Sequence, residues 1–235
     1  MDVLAALEEI KQLDWVDEEG ERMEMSFFPG LSEEQLDGLE ADMGTTLPAD
    51  YRALAAVCGG IEGGSLEIDF SGFGETWVAP LLPHYVAFAH DGSGNHWVID
   101  CTSEPSERSH IFYSCHDAPV LLFQGVGMAE FLKQVYHYET GDRWSDIWGV
   151  FGDNRFHVWQ TNPGTIGRKE ALASPDATIR ELAGYLDDRF SIIDLRNVPP
   201  GMGFSWGRDG YGEIERFGEE RIFVYADLSK EAGGE

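Results

Sequence analysis

The segment "AFAHDGSGNHWVID", residues 87–100, contains two apolar stretches separated by a short turn. Gly92 and Gly94 lie in that turn, and glycine readily adopts the positive φ that a tight hairpin requires. The segment therefore predicts a strand, a turn and a second strand. Its polar side chains leave a second interpretation open, in which the same turn is part of a metal-dependent site.

Helices are predicted before this hairpin. Apolar residues recur with helical spacing over residues 3–13, as in a short amphipathic helix. In "PGLSEEQLDGLEADMG", Ser32 and Gln35 have the spacing of a capping box, which predicts the start of a second helix. Gly44 is expected to end that helix.

A third helix is predicted in "TLPADYRALAAVCGG", residues 46–60. Pro48 suits its first turn, and Gly59 and Gly60 are expected to stop it. The pattern then changes to a period of two in "SLEIDF", residues 65–70, which predicts a half-buried strand.

Strands and helices also follow the hairpin. "SHIFYS" predicts a strand and "GMAEFLKQVYHYE" a closing helix. In the last third of the chain, Ser174 and Pro175 predict the start of a helix in "SPDATIRELAGYLDDRF". Four other segments are interpreted there as strands: "FHVWQ", "SIIDLR", "GFSWG" and "RIFVYADL".

These patterns together predict the fold class and the domain organisation. The expected fold is α+β, with a mainly antiparallel sheet, N-terminal helices and a closing helix. Residues 1–140 are predicted to form this domain. Residues 141–235 are predicted to form a C-terminal α+β extension or a small second domain.

The charge distribution is strongly acidic and uneven. The chain has 43 acidic and 16 basic residues, and residues 1–140 alone have 26 acids against 5 bases. Such a field repels nucleic acid and anionic lipid and speeds encounter with a basic protein. We therefore expect a basic protein partner and no nucleic acid or membrane surface. The candidate contact residues are acids of the first forty positions: Asp17, Glu18, Glu19, Glu33, Glu34 and Asp37.

The sequence also bears on the cellular compartment. It contains no apolar run of about 18 residues, the length that a membrane-spanning helix requires. Its N-terminus carries acids where a secretory signal has basic residues. The three cysteines are not spaced like a disulfide framework. A cytoplasmic protein is expected.

Two catalytic arrangements were considered. His90, His96 and Asp100 could serve a metal-assisted hydrolase, but zinc ligands usually occur in closely spaced pairs, so polar residues of a hairpin are the favoured interpretation. "GFSWG" matches a nucleophile elbow around Ser205, yet all seven histidines precede it, and that fold places its histidine later. No catalytic residue, bound metal or cofactor is therefore predicted.

The order of these signals resembles that of a known family. "PGLSEEQLDGLEADMGTTLPADYRALAAVCGGIEGG" resembles the opening of SUKH-superfamily domains, where a helix leads to a Leu-Pro pair, a Tyr-Arg pair and a Gly-Gly pair. In this sequence those positions are Leu47, Pro48, Tyr51, Arg52, Gly59 and Gly60.

The hairpin and the closing helix extend this resemblance. "VAFAHDGSGNHWVID" is similar to the second motif of the family, through Asp91, Gly92, Gly94 and Asn95. "GMAEFLKQVYHY" is similar to its closing helix. The resemblance covers roughly residues 25–138, and residues 140–235 have no recognised counterpart.

The resemblance implies a non-enzymatic protein-binding module whose motif residues are structural. Many bacterial members are immunity proteins that neutralise polymorphic toxins, often nucleases, and fungal members regulate cell-wall synthesis. The resulting prediction is an immunity protein for a basic toxin. The alternatives are a regulator or scaffold of cell-envelope synthesis and, from another class, the metal-assisted hydrolase. The sequence leaves the partner's identity and the oligomeric state open.

Overall fold

The computed structural model describes residues 2–102, 108–142, 145–206 and 214–226. It confirms the α+β class, with one eight-stranded and one four-stranded antiparallel sheet in these ranges. Within the same ranges, no helix combines the length and the apolar composition that crossing a bilayer requires.

The strands occur in chain order as follows: β1 Ser26–Pro29, β2 Cys58–Glu62, β3 Glu67–Asp69, β4 Tyr85–His90, β5 His96–Asp100, β6 His110–Cys115, β7 Val120–Val126, β8 Thr165–Gly167, β9 Phe190–Asp194, β10 Gly203–Ser205, β11 Ile214–Arg216 and β12 Ile222–Ala226. The larger sheet has the order β1-β2-β3-β4-β5-β6-β7-β10. The smaller sheet has the order β11-β12-β9-β8.

The α-helices are α1 Val3–Lys11, α2 Glu33–Met43, α3 Ala49–Ala55, α4 Met128–Glu139, α5 Arg155–Thr161, α6 Arg168–Leu172 and α7 Ala177–Tyr185. A π-helical segment, Trp148–Asn154, directly precedes α5. The capping box at the start of α2 is confirmed, because Ser32 Oγ accepts from the backbone N–H of Gln35 at 3.2 Å and Gln35 Oε1 accepts from that of Ser32 at 2.9 Å.

The predicted hairpin is present between β4 and β5. The two strands pair in antiparallel register from Tyr85 opposite Asp100 to His90 opposite His96. Gly92 and Gly94 in the turn have φ values of +71° and +84°. Positive φ is unfavourable for a residue with a Cβ, which explains why glycine stands at these positions.

The layers are held by three hydrophobic cores. The first core packs α1, α3 and α4 on one face of the larger sheet and includes Tyr51, Trp97 and Phe131. A second core lies between the two sheets, where Phe112 of the larger sheet and Phe223 of the smaller sheet are buried together. A third core packs α6 and α7 on the other face of the smaller sheet.

The boundaries of the third helix differ from the prediction. Helix α3 ends at Ala55, and Cys58, Gly59 and Gly60 belong to β2 rather than to the end of the helix. Pro48 is the residue before the helix, not part of its first turn. In the sequence these glycines resemble the end of a helix. Their actual role could not be predicted, because it depends on neighbouring strands that are distant along the chain.

The prediction of a strand at "FHVWQ" is wrong, because these residues lie in α5. A short apolar run does not distinguish a strand from a helix. In α5 only Val158 is buried, whereas Phe156 is 45% exposed, so one side of the segment faces the core. Asn162, with φ of +45°, ends the helix.

The C-terminal helix starts later than predicted. The N-cap of α7 is Asp176, whose Oδ1 accepts from the backbone N–H of Ile179 at 3.1 Å. Ser174 instead accepts a hydrogen bond from the backbone N–H of Asp176. Aspartate and serine cap helices about equally well, so the sequence alone did not distinguish these neighbouring positions.

The C-terminal part of the chain contributes to both sheets. Strand β10 pairs with β7 in the larger sheet, with Phe204 opposite Leu121. Strands β8, β9, β11 and β12 form the smaller sheet. The division of the chain at residue 140 stays a prediction.

Candidate functional site

The side chains of Asp91 and Asn95 hold the turn between β4 and β5. Asp91 Oδ1 accepts from the backbone N–H groups of Ser93 at 2.9 Å and Asn95 at 3.3 Å. The Asn95 Nδ2 atom donates to Asp91 Oδ2 at 2.8 Å, and Asn95 Oδ1 accepts from the backbone N–H of His116 at 3.1 Å. These polar groups are thereby engaged within the protein and tie the turn to the end of β6.

The Leu-Pro and Tyr positions lie at the start of α3. Leu47 and Tyr51 are buried in the first core. The Tyr51 hydroxyl donates to the backbone carbonyl oxygen of Phe70 at 2.8 Å, and burial raises the pKa of Tyr51 well above its usual value. This hydrogen bond connects α3 to the residue that follows β3.

Asp50 has a structural role that no pattern in the sequence indicates. Its Oδ1 accepts from the backbone N–H of Ser109 at 2.8 Å and from the Ser109 hydroxyl at 2.7 Å. Its Oδ2 accepts from the backbone N–H of Met128, the first residue of α4, at 2.9 Å. One carboxylate therefore joins α3, the approach to β6 and α4.

Gly59 and Gly60 lie where neighbouring backbones approach closely. A Cβ at Gly59 would be 2.4 Å from the carbonyl oxygen of Pro29, and one at Gly60 would be 2.5 Å from that of Ile68. Distances this short are steric overlaps, so any other residue would push β2 away from its neighbours.

His90, His96 and Asp100, the residues of the hydrolase alternative, are not brought together. The two histidines lie opposite each other on β4 and β5, with ring centroids 6.0 Å apart. Asp100 lies at the other end of β5, where Arg216 and Arg221 occupy its carboxylate. In the ranges that the structure describes, no three His, Cys, Asp or Glu side chains are grouped as metal ligands.

An acidic cleft lies between the acidic N-terminal connection and the C-terminal end of α4. Its volume is about 330 Å³. Its acidic lining residues are Asp17, Glu18, Glu19, Glu139 and Asp142, and its other walls include Met23, Ser65, Tyr138 and Trp148. The cleft combines three of the predicted partner-binding acids with residues of the C-terminal end of α4 and of the π-helical segment.

Asp17 organises the loop that forms one wall of the acidic cleft. Its Oδ1 accepts from the backbone N–H groups of Glu19 at 3.1 Å and Glu21 at 2.8 Å. Glu18 and Glu19 are exposed. Asp17 therefore has a structural role in the loop, while the two glutamates place their charge at the mouth of the cleft.

Two aromatic rings also line the cleft. The rings of Tyr138 and Trp148 are stacked, with centroids 6.3 Å apart and an interplanar angle of 25°. Trp148 is 37% exposed. Burial and then the charge of Glu139 raise the pKa of Tyr138, so its hydroxyl stays neutral. Cations are attracted to the face of an aromatic ring, and most strongly to that of tryptophan.

The remaining carboxylates of the cleft have partners within the protein. Glu139 is buried, and its two oxygens accept from the backbone N–H of Ser65 at 2.8 and 2.9 Å, which fixes the β2–β3 turn to α4. Asp142 Oδ2 lies 3.5 Å from His137 Nδ1. Among the cleft-lining residues that the structure describes there is no lysine or arginine.

The other predicted partner-binding acids lie apart from the cleft, on α2. Glu33 and Asp37 contact the Arg52 guanidinium at 2.7 and 2.8 Å, and Glu40 contacts it at 3.1 Å. Glu34 is exposed in the first turn of α2, where a negative charge favours the helix dipole. Arg52 partly neutralises these α2 carboxylates. The six predicted acids therefore fall into two sets, one that lines the cleft and one on α2.

Comparison with known proteins gives a family. A sequence model of the SMI1 / KNR4 family (SUKH-1) matches residues 30–151. This chain belongs to the SMI1/KNR4 family. Proteins of this SUKH-1 group are generally non-enzymatic and typically bind partner proteins. Comparisons with curated proteins and with solved structures gave no match.

The SUKH-1 match covers one wall of the acidic cleft and not the other. Tyr138, Glu139 and Trp148 lie inside the matched residues, whereas Glu18 and Glu19 precede them. The family region thus provides the aromatic lining of the cleft, and the N-terminal segment of this chain adds exposed carboxylates to it.

Proposed function

We propose that this SUKH-1 protein is an immunity protein that binds and neutralises a basic toxin in the cytoplasm, with the acidic cleft as a principal contact. The observation that supports this proposal is that the exposed side chains of Glu18 and Glu19 line the same cleft as the partly exposed Trp148. Family membership supports protein binding in general, and the acidic residues of the cleft favour a basic partner.

The cleft has the properties that an arginine or lysine side chain requires. An arginine or lysine side chain in the cleft finds the Trp148 ring for a cation–π interaction and the carboxylates of Glu18 and Glu19 for ion pairs. Charge-assisted hydrogen bonds between guanidinium and carboxylate groups are stronger than neutral ones. A basic loop of the partner therefore fits this site better than an acidic or purely apolar one.

The charge of the whole chain favours the same class of partner. The net charge of −27 accelerates encounter with a positively charged protein and slows encounter with an acidic one. Nucleases carry basic surfaces because they bind a phosphate backbone. A nuclease toxin is consequently a member of the partner class that we propose.

A co-expression experiment tests the proposal. The proteins encoded beside this gene are expressed one at a time in a host with and without the chain, and host growth is measured for each one that is toxic. We expect the wild-type chain to restore growth and the double variant Glu18→Lys/Glu19→Lys to lose this protection. The double variant Glu170→Lys/Glu181→Lys, which changes the net charge equally at exposed positions of α6 and α7, should still protect.

Two results would oppose the proposal. Growth that is not restored by the wild-type chain would argue against the immunity function. Protection by both double variants to the same extent would argue against the acidic cleft as the contact site.

A further inference from the structure

The larger sheet has an open part on its outer face, opposite α1, α3 and α4. Over β4–β7 this face is covered by the smaller sheet through the second core. Over β1–β3, Phe28 lies opposite Gly60, and Gly60 lies opposite Asp69, in one row across the strands. Phe28 is 44% exposed, which is unusual for a phenylalanine on a sheet face.

A groove of about 370 Å³ occupies this open face. Phe28 provides its exposed apolar surface and Leu31 is half-buried, whereas the side chain of Ile68 is buried in the first core. A Cβ at Gly60 would lie 3.2 Å from Phe28 Cδ2, so the phenylalanine ring lies against this glycine. Its acidic residues are Glu62, Glu67 and Asp69. We call these six lining residues the Phe28 groove.

The Phe28 groove and the acidic cleft are separated by the β2–β3 turn alone. Glu62 and Glu67, at the two ends of this turn, line the groove, and Ser65 within the turn lines the cleft. Glu139 fixes the turn by accepting from the backbone N–H of Ser65. A partner loop that enters the cleft can therefore continue past this turn into the groove.

The two sites supply different contributions to binding. Exposed charges mainly raise the association rate, whereas slow dissociation depends on apolar side chains that are removed from water in a pocket. In the acidic cleft, Glu18 and Glu19 are the exposed charges. In the Phe28 groove, the exposed ring of Phe28 is the apolar surface, and Glu62, Glu67 and Asp69 form an acidic rim around it.

We propose that the Phe28 groove is the anchor site of the partner interface and accepts an apolar side chain flanked by lysine or arginine. This proposal rests on the proposed function, since it assigns a second part of the same interface. Charge complementarity selects the occupant: the flanking cations face Glu62, Glu67 and Asp69. A second copy of this chain would add another net charge of −27 and would be repelled.

A peptide titration tests the anchor site on the whole protein. The ¹⁵N-labelled chain is titrated with acetyl-Lys-Leu-Lys-amide, acetyl-Lys-Gly-Lys-amide and acetyl-Lys-Lys-Lys-amide, and backbone amide shifts are followed by NMR. At Gly60 and Asp69 we expect the leucine peptide to bind about tenfold more tightly than the glycine peptide, because only leucine has apolar surface to bury. The trilysine peptide should instead shift the amides of Glu18 and Glu19.

Three variants provide the controls. Phe28→Ala should reduce binding of the leucine peptide to the level of the glycine peptide, and Phe28→Leu should retain it. Tyr185→Ala removes another exposed aromatic side chain, 78% exposed on α7, and should have no effect.

Each alternative outcome has a distinct meaning. Equal binding of the leucine and glycine peptides at Gly60 and Asp69 would overturn the anchor site. So would a dimer in sedimentation velocity that Phe28→Ala dissociates, because the groove would then belong to a second copy. Trilysine shifts absent from the acidic cleft would weaken the proposed function and leave a leucine-selective groove standing.

Discussion

Arg216 binds both carboxylate oxygens of Asp100, with Nη1–Oδ1 and Nη2–Oδ2 distances of 2.9 Å. The two side chains are 5% and 0% exposed, and Arg221 Nε lies 3.0 Å from Asp100 Oδ2. Because Arg216 belongs to β11 and Asp100 to β5, this buried group joins the smaller sheet to the larger one. Burial by itself would raise the pKa of Asp100. The hydrogen bonds and charge of Arg216, followed by the charge of Arg221, outweigh this effect, so the pKa lies below its usual value.

The substitution Asp100→Asn should destabilise the protein strongly. It leaves two arginines largely buried without a counter-charge, a situation that costs about 3–5 kcal/mol. Urea unfolding measures the change in the free energy of unfolding. The control is Asp187→Asn, which removes an exposed ion pair with Arg189 and should cost far less, because exposed ion pairs contribute little to stability. Equal losses in the two variants would contradict the structural role of the Asp100 group.

His110, which lies opposite Asp100 in the sheet, should make the protein sensitive to acid. Burial, followed by the charge of Arg221, lowers the pKa of His110 to about 4. The folded state therefore holds this histidine neutral while the unfolded chain protonates near pH 6.5, so stability falls as the pH drops from about 6.5 toward 4. Urea unfolding at pH 7 and pH 5 should show a smaller loss for His110→Gln than for the wild type. An unchanged pH dependence in His110→Gln would count against this assignment.

Replacing either hairpin glycine with valine should lower stability. Both Gly92 and Gly94 have positive φ, which for a residue with a Cβ costs of order 1–3 kcal/mol. A Cβ at Gly94 would also lie 3.1 Å from His116 Cε1, whereas one at Gly92 would meet no heavy atom within 4 Å. Thermal melts should therefore show a lower melting temperature for Gly94→Val than for Gly92→Val. Unchanged melting together with lost partner binding would identify the turn as a contact site instead.

We predict that the purified protein binds no transition metal at the hairpin. His90 and His96 are separated from Asp100 by the length of β5, and His90 Nε2 lies 3.3 Å from the carboxylate of Glu67. Elemental analysis of protein purified without added metal is the measurement. About one zinc per chain would restore the hydrolase alternative.

Local signals in the sequence predicted local structure well. The capping box of Ser32 and Gln35, the glycines of the hairpin and the α+β order all depend on neighbouring residues. The wrong predictions concern positions whose secondary structure is determined by residues that are distant in sequence. Gly59 is in a strand because β1 passes close to it, and "FHVWQ" is helical because one side of it packs on the core.

The candidate site was predicted only in part, for the same reason. The sequence identified Glu18 and Glu19 by their charge, but it did not show that Tyr138 and Trp148 line the same cleft. Glu33 and Asp37 carry the same charge, yet Arg52, 15 or more residues away, partly neutralises them. Composition identifies which charges are present, and only the fold determines which of them remain free to attract a partner.

The association rate with the toxin that the co-expression experiment identifies tests the central claim most directly. We predict that the wild-type rate falls about tenfold or more as ionic strength rises from about 0.01 M to 0.15 M, because the Debye length shortens from about 30 Å to about 8 Å. Glu18→Lys/Glu19→Lys should slow association at low salt and flatten this dependence, whereas Glu170→Lys/Glu181→Lys should have a smaller effect. An association rate that is independent of salt and equal in all three proteins would contradict binding of a basic partner at the acidic cleft.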